Sequence, residues 1–396
     1  MRLKEYKSII VPEDPRGGIV NGDVSYISST GLELIQSYGI ALKSDTYDYF
    51  YERISLDNGK TWSKPKLIFK GKRTRDGVVR YSGITYFLDE DRNVLIKLYG
   101  KGFYPHDNPI LALWDPHYQI YDRSSESWSK GISITEIVLE GQPSAFERGS
   151  LMISCSFPIK TSNGLIIVPC QLKAIQKGKI WFPFSNYFSP FYESAVLIGR
   201  WQGSSIKWEI SEKITIDPNI SCRLCEPTVV ELNDGTLFMI MRGDNGAFPE
   251  KPGYKWFSLS EDHGYTWTEP KPLMFTDGKP VYSPSSCSYA FRSKKTKKIY
   301  WIANILNRNP IGNRPRYPLQ IVEIDEEGLK VKRETMLVVD DKKPGDHPAV
   351  QLSNFRCYQD RESGDLVILM ARYGERGSTS ELVLRSPLYL YRVELD

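Results

Sequence analysis

Several features are scarce or missing in this 396-residue sequence, and each absence removes a class of protein. No window approaches 18 consecutive apolar residues, the length of a membrane-spanning helix, so we expect no transmembrane helix and no membrane partner. Neither sign of charge dominates, because 52 basic residues stand against 48 acidic ones. A nucleic-acid-binding domain carries a concentrated basic face, so we also expect no nucleic-acid partner.

Cysteine is too sparse for a disulfide-stapled fold, with six residues scattered along the chain. Cys222 and Cys225 have CxxC spacing, but no second pair accompanies them and the chain has only four histidines. Zinc needs about four ligands at suitable spacing. We therefore predict no metal and no other cofactor, and we interpret these two thiols as residues at the start of a buried strand.

Targeting and linker signals are also missing. Residues 1–6 lack an apolar segment followed by a small-residue cleavage site, so the sequence as given predicts a cytoplasmic protein, or a secreted one if the chain was trimmed. No tract rich in Pro, Gly or Ser divides the chain, and we predict one domain over residues 1–396. The oligomeric state stays open, and a homo-oligomer is compatible with the sequence.

Aromatic and turn-forming residues are plentiful: 24 Tyr, 16 Phe and 9 Trp accompany 30 Gly and 25 Pro, which favours many short strands joined by turns. No long stretch shows the 3.6-residue period of a helix. Six apolar runs begin at residues 32, 94, 165, 237, 299 and 366. A recurrence of this length predicts repeated units of about four strands, that is, an all-β six-bladed β-propeller. Residues 389–395 and 3–11 would complete one sheet of it.

Two octapeptides sharpen this prediction. Residues 55–62 and 260–267 both have the pattern S-x-D-x-G-x-T-W. In a hairpin turn, Asp accepts backbone N–H bonds, Gly supplies a positive φ, and Trp packs back between sheets. The pattern is the Asp box, and the chain resembles the sialidase-like six-bladed propellers. That resemblance implies that Asp57 and Asp262 are structural residues on the outer rim, away from the active site.

The resemblance is closest in the fourth unit. Residues 225–242 look like the sialidase segment that carries a catalytic glutamate and a carboxylate-binding arginine, and the matching residues are Glu226 and Arg242. A buried Glu at the start of one strand and an Arg at the end of its partner are costly unless they are paired or functional. The alternative interpretation is a structural ion pair.

Two further sialidase positions have matches in loops. The resemblance implies a second binding arginine at Arg316, with Arg314 as the next candidate. It implies the acid/base aspartate at Asp45, with Asp48 as the next candidate. The alternative for both loops is ordinary solvated polar sequence.

Two departures from the family argue against ordinary sialidase activity. Sialidases open the first blade with Arg-Ile-Pro, whereas Asp23 stands in the corresponding stretch here. They use a tyrosine nucleophile in the sixth blade, where this chain has Asn354 or Phe355. Three guanidinium groups clamp a sialic acid carboxylate through charge-assisted bonds, so the loss of one weakens the clamp.

Hydrolysis of a glycoside usually needs two carboxyl groups. Glu226 is the anchor, and its partner is Asp45, Glu147 or Asp23. A Glu147/Glu226 pair would be similar to that of the propeller exo-arabinanases in the same superfamily. The alternative for Glu147 is a surface pair with Arg148.

Other residues are predicted to contact substrate. Arg80 is a candidate ligand for an acidic sugar, and His347 and Asn354 join Arg242, Arg316 and Asp23 in the predicted binding set. The segment 181–192 is unusually aromatic, which suits stacking on a sugar or a protein interface.

The sequence therefore predicts an exo-acting glycoside hydrolase for a carboxylate-bearing or acidic oligosaccharide. One alternative is a polysaccharide lyase for uronate-containing glycans, with His347 or His106 as the base beside Arg242. The other is a non-catalytic glycan-binding propeller, because a fold alone does not establish an activity.

Overall fold

The chain folds as a ring of antiparallel sheets. The computed structural model describes residues 1–43, 45–153, 155–375 and 385–396. These residues form six successive blades of about four main strands each, a six-bladed β-propeller, which confirms the predicted fold class. The six apolar runs found in the sequence are the second strands of the six blades.

The first three blades contain the following strands. Blade one comprises Gly18–Tyr26, Leu34–Ala41, Tyr49–Ser55 and Lys66–Lys70, with Arg385–Ser386 parallel to its first strand. Blade two comprises Lys72–Arg73, Gly77–Asp89, Val94–Pro105, Leu113–Asp122, Ser127–Trp128 and Ile132–Ser133. Blade three comprises Leu151–Met152, Ile159–Lys160, Ile166–Lys173, Tyr192–Gln202 and Ser205–Ile210, and a separate hairpin pairs Ile175–Gln176 with Lys179–Ile180.

The last three blades follow the same order. Blade four comprises Cys225–Glu231, Leu237–Arg242, Lys255–Ser260 and Lys271–Pro272. Blade five comprises Tyr289–Arg292, Ile299–Asn304, Leu319–Asp325, Lys330–Val331 and Leu337–Asp340. Blade six comprises Arg356–Gln359, Leu366–Met370, Leu388–Glu394 and, as its outer strand, the N-terminal Arg2–Val11.

The two ends of the chain close the ring. Arg2–Val11 pairs antiparallel with Leu388–Glu394, so that Arg2 lies opposite Glu394 and their side chains form a 2.8 Å salt bridge. This pairing is the one predicted from the terminal segments. A closed ring leaves no long unpaired strand edge between the first and last blades.

The second strands are buried on both faces because each blade packs between two neighbours. All eight residues of Ile166–Lys173 are buried, and so are all six of Ile299–Asn304. This double burial explains why these strands appear in the sequence as continuous apolar runs rather than as an alternating pattern. Trp208 and Trp301 fill gaps between blades and are almost fully buried.

One short α-helix was not predicted. Ile134–Gly141 begins at Ser133, whose hydroxyl accepts a 3.2 Å bond from the Glu136 N–H, and it buries Ile134 and Val138 in the core between blades two and three. Two turns are too few to produce a sustained 3.6-residue period in the sequence. Two 3₁₀ turns, Pro109–Leu111 and Arg333–Thr335, complete the helical structure of the described residues, in which no helix is long and apolar enough to cross a membrane.

The Asp boxes form the predicted hairpin turns between third and fourth strands. Asp57 accepts bonds from the Thr61 N–H (2.8 Å) and the Thr61 hydroxyl (2.6 Å), which lower the pKa of Asp57 to about 2. Gly59 has φ +84°, and the Trp62 indole N–H donates to its carbonyl. Asp262 makes the same contacts in blade four. The boxes are therefore structural turns.

We predict that Asp262→Ala lowers the free energy of unfolding. The variant loses the bonds from the Thr266 N–H and hydroxyl, which are worth on the order of 1 kcal/mol each. Denaturant unfolding measures the loss. Glu261→Ala, at the exposed variable position of the same box, is the matched control and should leave unfolding unchanged. Equal losses in both variants would contradict a role specific to the box aspartate.

Candidate active site

A cavity of about 360 Å³ lies where the first strands of the six blades converge. This volume is at the lower end of the roughly 300–1,000 Å³ typical of small-molecule sites. All six blades contribute to its lining, and the charged members are Asp23, Asp45, Arg223, Glu226, Arg242, Arg316 and Arg356. A larger cavity of about 1000 Å³ lies at the opposite end of the axis, bounded by the C-terminal ends of the first strands. Asp23 borders both cavities.

Glu226 and Arg242 form an ion pair inside the axial cavity. Cys225 lies opposite Arg242 in the sheet, and the register shifts immediately after it. Glu226 has φ +44°, an unfavourable conformation for a non-glycine residue, and the Gln171 side-chain oxygen accepts a 2.6 Å bond from its N–H. The Arg242 Nη1 lies 2.6 Å from the Glu226 Oε2.

The environment of Glu226 keeps its carboxyl group ionised. Burial acts to raise its pKa, but the nearby Arg242 guanidinium, its hydrogen bond and the more distant Arg316 charge together lower the pKa below its usual value. At neutral pH the group is therefore a carboxylate, which suits a base or nucleophile rather than a proton donor.

Two of the four cavity arginines are neutralised by acidic partners. Arg242 pairs with Glu226, and the Arg223 Nε lies 3.2 Å from Asp244 Oδ2. Arg223 also donates to the hydroxyl groups of Tyr187 (2.7 Å) and Ser189 (2.6 Å). These contacts fix Arg223 against the aromatic segment 181–192.

The other two arginines, Arg316 and Arg356, have no carboxylate within 4.0 Å in the described part of the chain. Arg316 is 8% exposed and donates to the Gln351 side-chain oxygen (2.9 Å) and the Ser285 carbonyl (3.1 Å). Burial lowers the pKa of Arg316 to about 10, so it remains a cation at neutral pH. Arg356 lies over the Phe157 ring. The cavity thus contains two arginines that lack a directly bonded carboxylate among the described residues, which suits an anionic ligand.

Asp23, predicted to stand in place of the first sialidase arginine, is 5% exposed. Its Oδ2 accepts bonds from the Thr85 hydroxyl (2.9 Å) and the Tyr86 N–H (3.0 Å). Burial raises its pKa, while the positive charge of Arg356 partly opposes the shift. The carboxyl group is consequently easier to protonate than an exposed aspartate.

We predict that Asp23→Asn removes a pH-dependent destabilisation. The pKa of Asp23 is raised in the folded state, so above its unfolded value of 3.8 the unfolded chain binds fewer protons at this position than the folded chain. Wild-type stability relative to the variant should fall by up to about 1.4 kcal/mol per pH unit between the unfolded and folded pKa values. Denaturant unfolding of both proteins at a series of pH values tests this. A difference in unfolding free energy between the two proteins that does not change with pH would contradict the prediction. So would a difference that shifts in favour of the wild type as the pH rises.

Asp45 and Asp48, the two alternatives for the acid/base aspartate, occupy different environments. Asp45 lines the cavity, is exposed, and its carbonyl accepts a 3.3 Å bond from the Tyr104 hydroxyl. Asp48 instead accepts a 2.9 Å bond from Arg80 Nε outside the cavity lining. The structure therefore places Asp45, rather than Asp48, at the site.

Arg80 and Glu147, by contrast, do not line the cavity. Arg80 is 1% exposed and is held between Asp48 and Asp107, so it has no free face for an acidic sugar. Glu147 is exposed beside a different surface cavity, and the predicted pair with Arg148 is also absent because Arg148 contacts Glu136. The structure does not bring Glu147 next to Glu226.

The two histidines proposed as lyase bases also lie outside the cavity lining. The His347 Nδ1 accepts a 2.9 Å bond from the Ala349 N–H, a local loop contact. His106 is exposed at the end of a blade-two strand. Neither histidine lies beside Arg242.

Asn354 and Phe355, the two candidates for the position of the sialidase tyrosine, both line the cavity. Asn354 has φ +60°, and its N–H donates to Cys287 Sγ at 3.1 Å. Other lining residues were not predicted from the sequence, among them Tyr47, Gln171, Tyr192, Arg223 and Arg356. Tyr192 lies in the aromatic segment 181–192 and Arg356 directly follows Phe355, whereas nothing in the sequence distinguishes Gln171 from other buried strand residues.

The comparisons with known proteins agree with this architecture. The BNR repeat-like domain family matches residues 38–307, more than half of the chain, and the chain therefore belongs to that family. No protein with a curated description matches the sequence.

Solved structures with a similar fold include several glycosidases. The Hadza microbial sialidase Hz136 is 13% identical, with a TM-score of 0.66, over 98% of this chain and 68% of its own. The leech intramolecular trans-sialidase is 13% identical, with a TM-score of 0.64, over 99% and 70%. The GH93 α-L-arabinofuranosidase of Fusarium graminearum is 11% identical, with a TM-score of 0.60, over 98% of both chains. At these identities the likeness shows the fold and a clear divergence from true sialidases.

Proposed function

We propose that this member of the BNR repeat-like family is an exo-acting glycoside hydrolase that removes a terminal sugar bearing a carboxylate or another anionic group. One observation carries the proposal. Glu226, which is ionised, faces a small cavity at the propeller axis together with Arg316 and Arg356, neither of which has a carboxylate within 4.0 Å among the described residues. A cavity of about 360 Å³ suits one terminal residue better than a continuous polymer.

Arg316 and Arg356 hold the anionic group of the sugar. Their present hydrogen-bond partners are backbone and side-chain oxygens of uncharged groups. Charge-assisted bonds from guanidinium to carboxylate are about twice as strong as neutral hydrogen bonds. An anionic substrate therefore gives these two arginines the charged partner that they lack among the described residues.

Asp45 is the proton donor in this proposal, and Glu226 is the base or nucleophile. In an exo-acting enzyme the leaving group points towards solvent, so the acid must lie near the cavity mouth. Asp45 is exposed at that mouth. Asp23 lies at the inner end of the axial cavity, next to the second cavity, and is too deep to protonate a leaving group at the mouth. Asp23, with its raised pKa, hydrogen-bonds to the sugar instead.

The substrate is not an ordinary sialoside in this proposal. The resemblance implies that Asp23 stands in place of the first sialidase arginine and Asn354 or Phe355 in place of the tyrosine, and all three residues line the cavity. The similar solved structures include a sialidase and an arabinofuranosidase, which share cleavage of a glycosidic bond but not a sugar. The shared reaction of these two proteins supports glycoside hydrolysis as the reaction class. Their different sugars mean that the cavity of this chain determines which sugar it binds.

A substrate panel tests the proposal. The protein is incubated with sialosides, uronides and aryl glycosides, each anionic sugar beside its neutral methyl ester, and the products are weighed by mass spectrometry. If the proposal is correct, the products together are one water heavier than the substrate. Each anionic sugar should also be cleaved faster than its neutral methyl ester. Products that sum to the substrate mass indicate a lyase. Saturable binding without turnover indicates a binding propeller, and either result overturns the proposal.

A further inference from the structure

Two cysteines from blades three and five meet beside the Glu226 carboxylate of blade four. Cys155 lies between the two short strands that open blade three, and Cys287 immediately precedes the first strand of blade five. Their sulfur atoms and a carboxylate oxygen of Glu226 all lie within 4.8 Å of one another. Cys155 and Glu226 line the axial cavity, and Cys287 lies just beneath, 4% exposed.

This set of donors has the composition and spacing of a zinc site. Zinc takes thiolate ligands at about 2.3 Å and carboxylate oxygens at about 2.0–2.2 Å, so tetrahedral sulfur ligands lie about 3.7 Å apart. The observed separations require only a small closure of the side chains. Three protein ligands leave the fourth position open towards the cavity, as in sites that bind a further water or anion.

The surrounding charges also permit a cation. The Arg242 ion pair uses the Oε2 of Glu226, which leaves Oε1 for a metal ion. Zn²⁺ binds the two sulfurs as thiolates, and any thiol proton is released to the buffer, so two negative charges offset the cation beside Arg242 and Arg316. All six cysteines of the chain are free thiols, which leaves both sulfurs available.

We propose that Cys155, Cys287 and Glu226 form a binding site for a thiophilic divalent cation such as Zn²⁺. The site is distinct from the CxxC pair Cys222/Cys225. If Glu226 performs hydrolysis, the bound cation occupies its carboxylate and inhibits turnover, a consequence that rests on the proposed function. Binding itself does not depend on that function.

Cadmium titration of the reduced, metal-free protein tests the site. We expect one Cd²⁺ per chain, a thiolate-to-metal charge-transfer absorption, and competition by Zn²⁺ but not by Mg²⁺, which prefers oxygen ligands. Cys155→Ser and Cys287→Ser should each weaken binding by more than the roughly 10–100-fold that removal of an outer partner costs. Glu226→Gln should weaken binding but keep the sulfur absorption. Cys222→Ser is the matched control and should bind as the wild type does.

Three results would overturn the proposal: no charge-transfer band, a band that persists in both Cys155→Ser and Cys287→Ser, or a band lost in Cys222→Ser. Because the readout is absorption rather than turnover, a protein that binds Cd²⁺ as predicted but hydrolyses nothing would contradict the proposed function alone. If both the metal site and the hydrolase function are correct, Zn²⁺ should inhibit the active wild-type protein and Mg²⁺ should not. Full activity with Zn²⁺ bound would contradict the inference that the cation blocks the Glu226 carboxylate during hydrolysis.

Discussion

Glu226→Gln should reduce kcat for hydrolysis by about 10²–10⁴-fold. The substitution keeps the shape of the side chain and its contact with Arg242, but it removes the negative charge that the neighbouring cations stabilise. The glutamine can neither accept a proton nor attack an anomeric carbon. Steady-state kinetics on the substrate that the panel identifies measure the loss.

Two controls separate this effect from a loss of folding. Glu147→Gln removes an exposed carboxylate outside the axial cavity and should leave kcat and KM unchanged. Substrate binding by Glu226→Gln, measured by calorimetry, should survive because Arg316 and Arg356 remain. A Glu226→Gln enzyme with wild-type turnover would show that the ion pair with Arg242 is only structural.

Arg316→Met should reduce kcat/KM for the anionic substrate by about 10- to 100-fold, because a hydrogen bond to a charged group contributes about 1.5–3 kcal/mol. The neutral methyl ester of the same sugar should lose far less, so the preference for the anionic form should largely disappear. The fold should tolerate the change, because the wild-type guanidinium is buried without a carboxylate partner within 4.0 Å in the described residues.

Arg314→Met is the matched control for this prediction. Arg314 lies two residues away in the same loop and donates to the Ala349 carbonyl (2.9 Å), but it does not line the cavity. Its loss should leave the anionic preference intact. An equal reduction in both variants, or equal losses for the acid and the ester in Arg316→Met, would contradict the role assigned to Arg316.

Much of the fold could be predicted because its signals are local and repeated. The second strands are buried on both sides, so they appear as apolar runs at a regular spacing, and the Asp boxes carry their turn chemistry within eight residues. The pairing of Glu226 with Arg242 could also be anticipated, because antiparallel pairing places the start of one strand opposite the end of the next.

The rest of the site depends on contacts between distant parts of the chain. Arg80 has the same residue type as Arg316, yet Asp48 and Asp107 neutralise it and remove it from the cavity. The sequence contains no sign of these partners. The meeting of Cys155 with Cys287 likewise depends on the ring, which brings residues of blades three and five together at the axis beside Glu226 of blade four.

The central claim, that the axial cavity hydrolyses a glycosidic bond, is tested most directly by turnover in water enriched in oxygen-18. We expect each cleavage to incorporate one oxygen-18 atom into the released sugar at its anomeric position, and Glu226→Gln to release labelled sugar about 10²–10⁴-fold more slowly. Products that carry no label and sum to the substrate mass, or label released equally by Glu226→Gln and wild type, would contradict it.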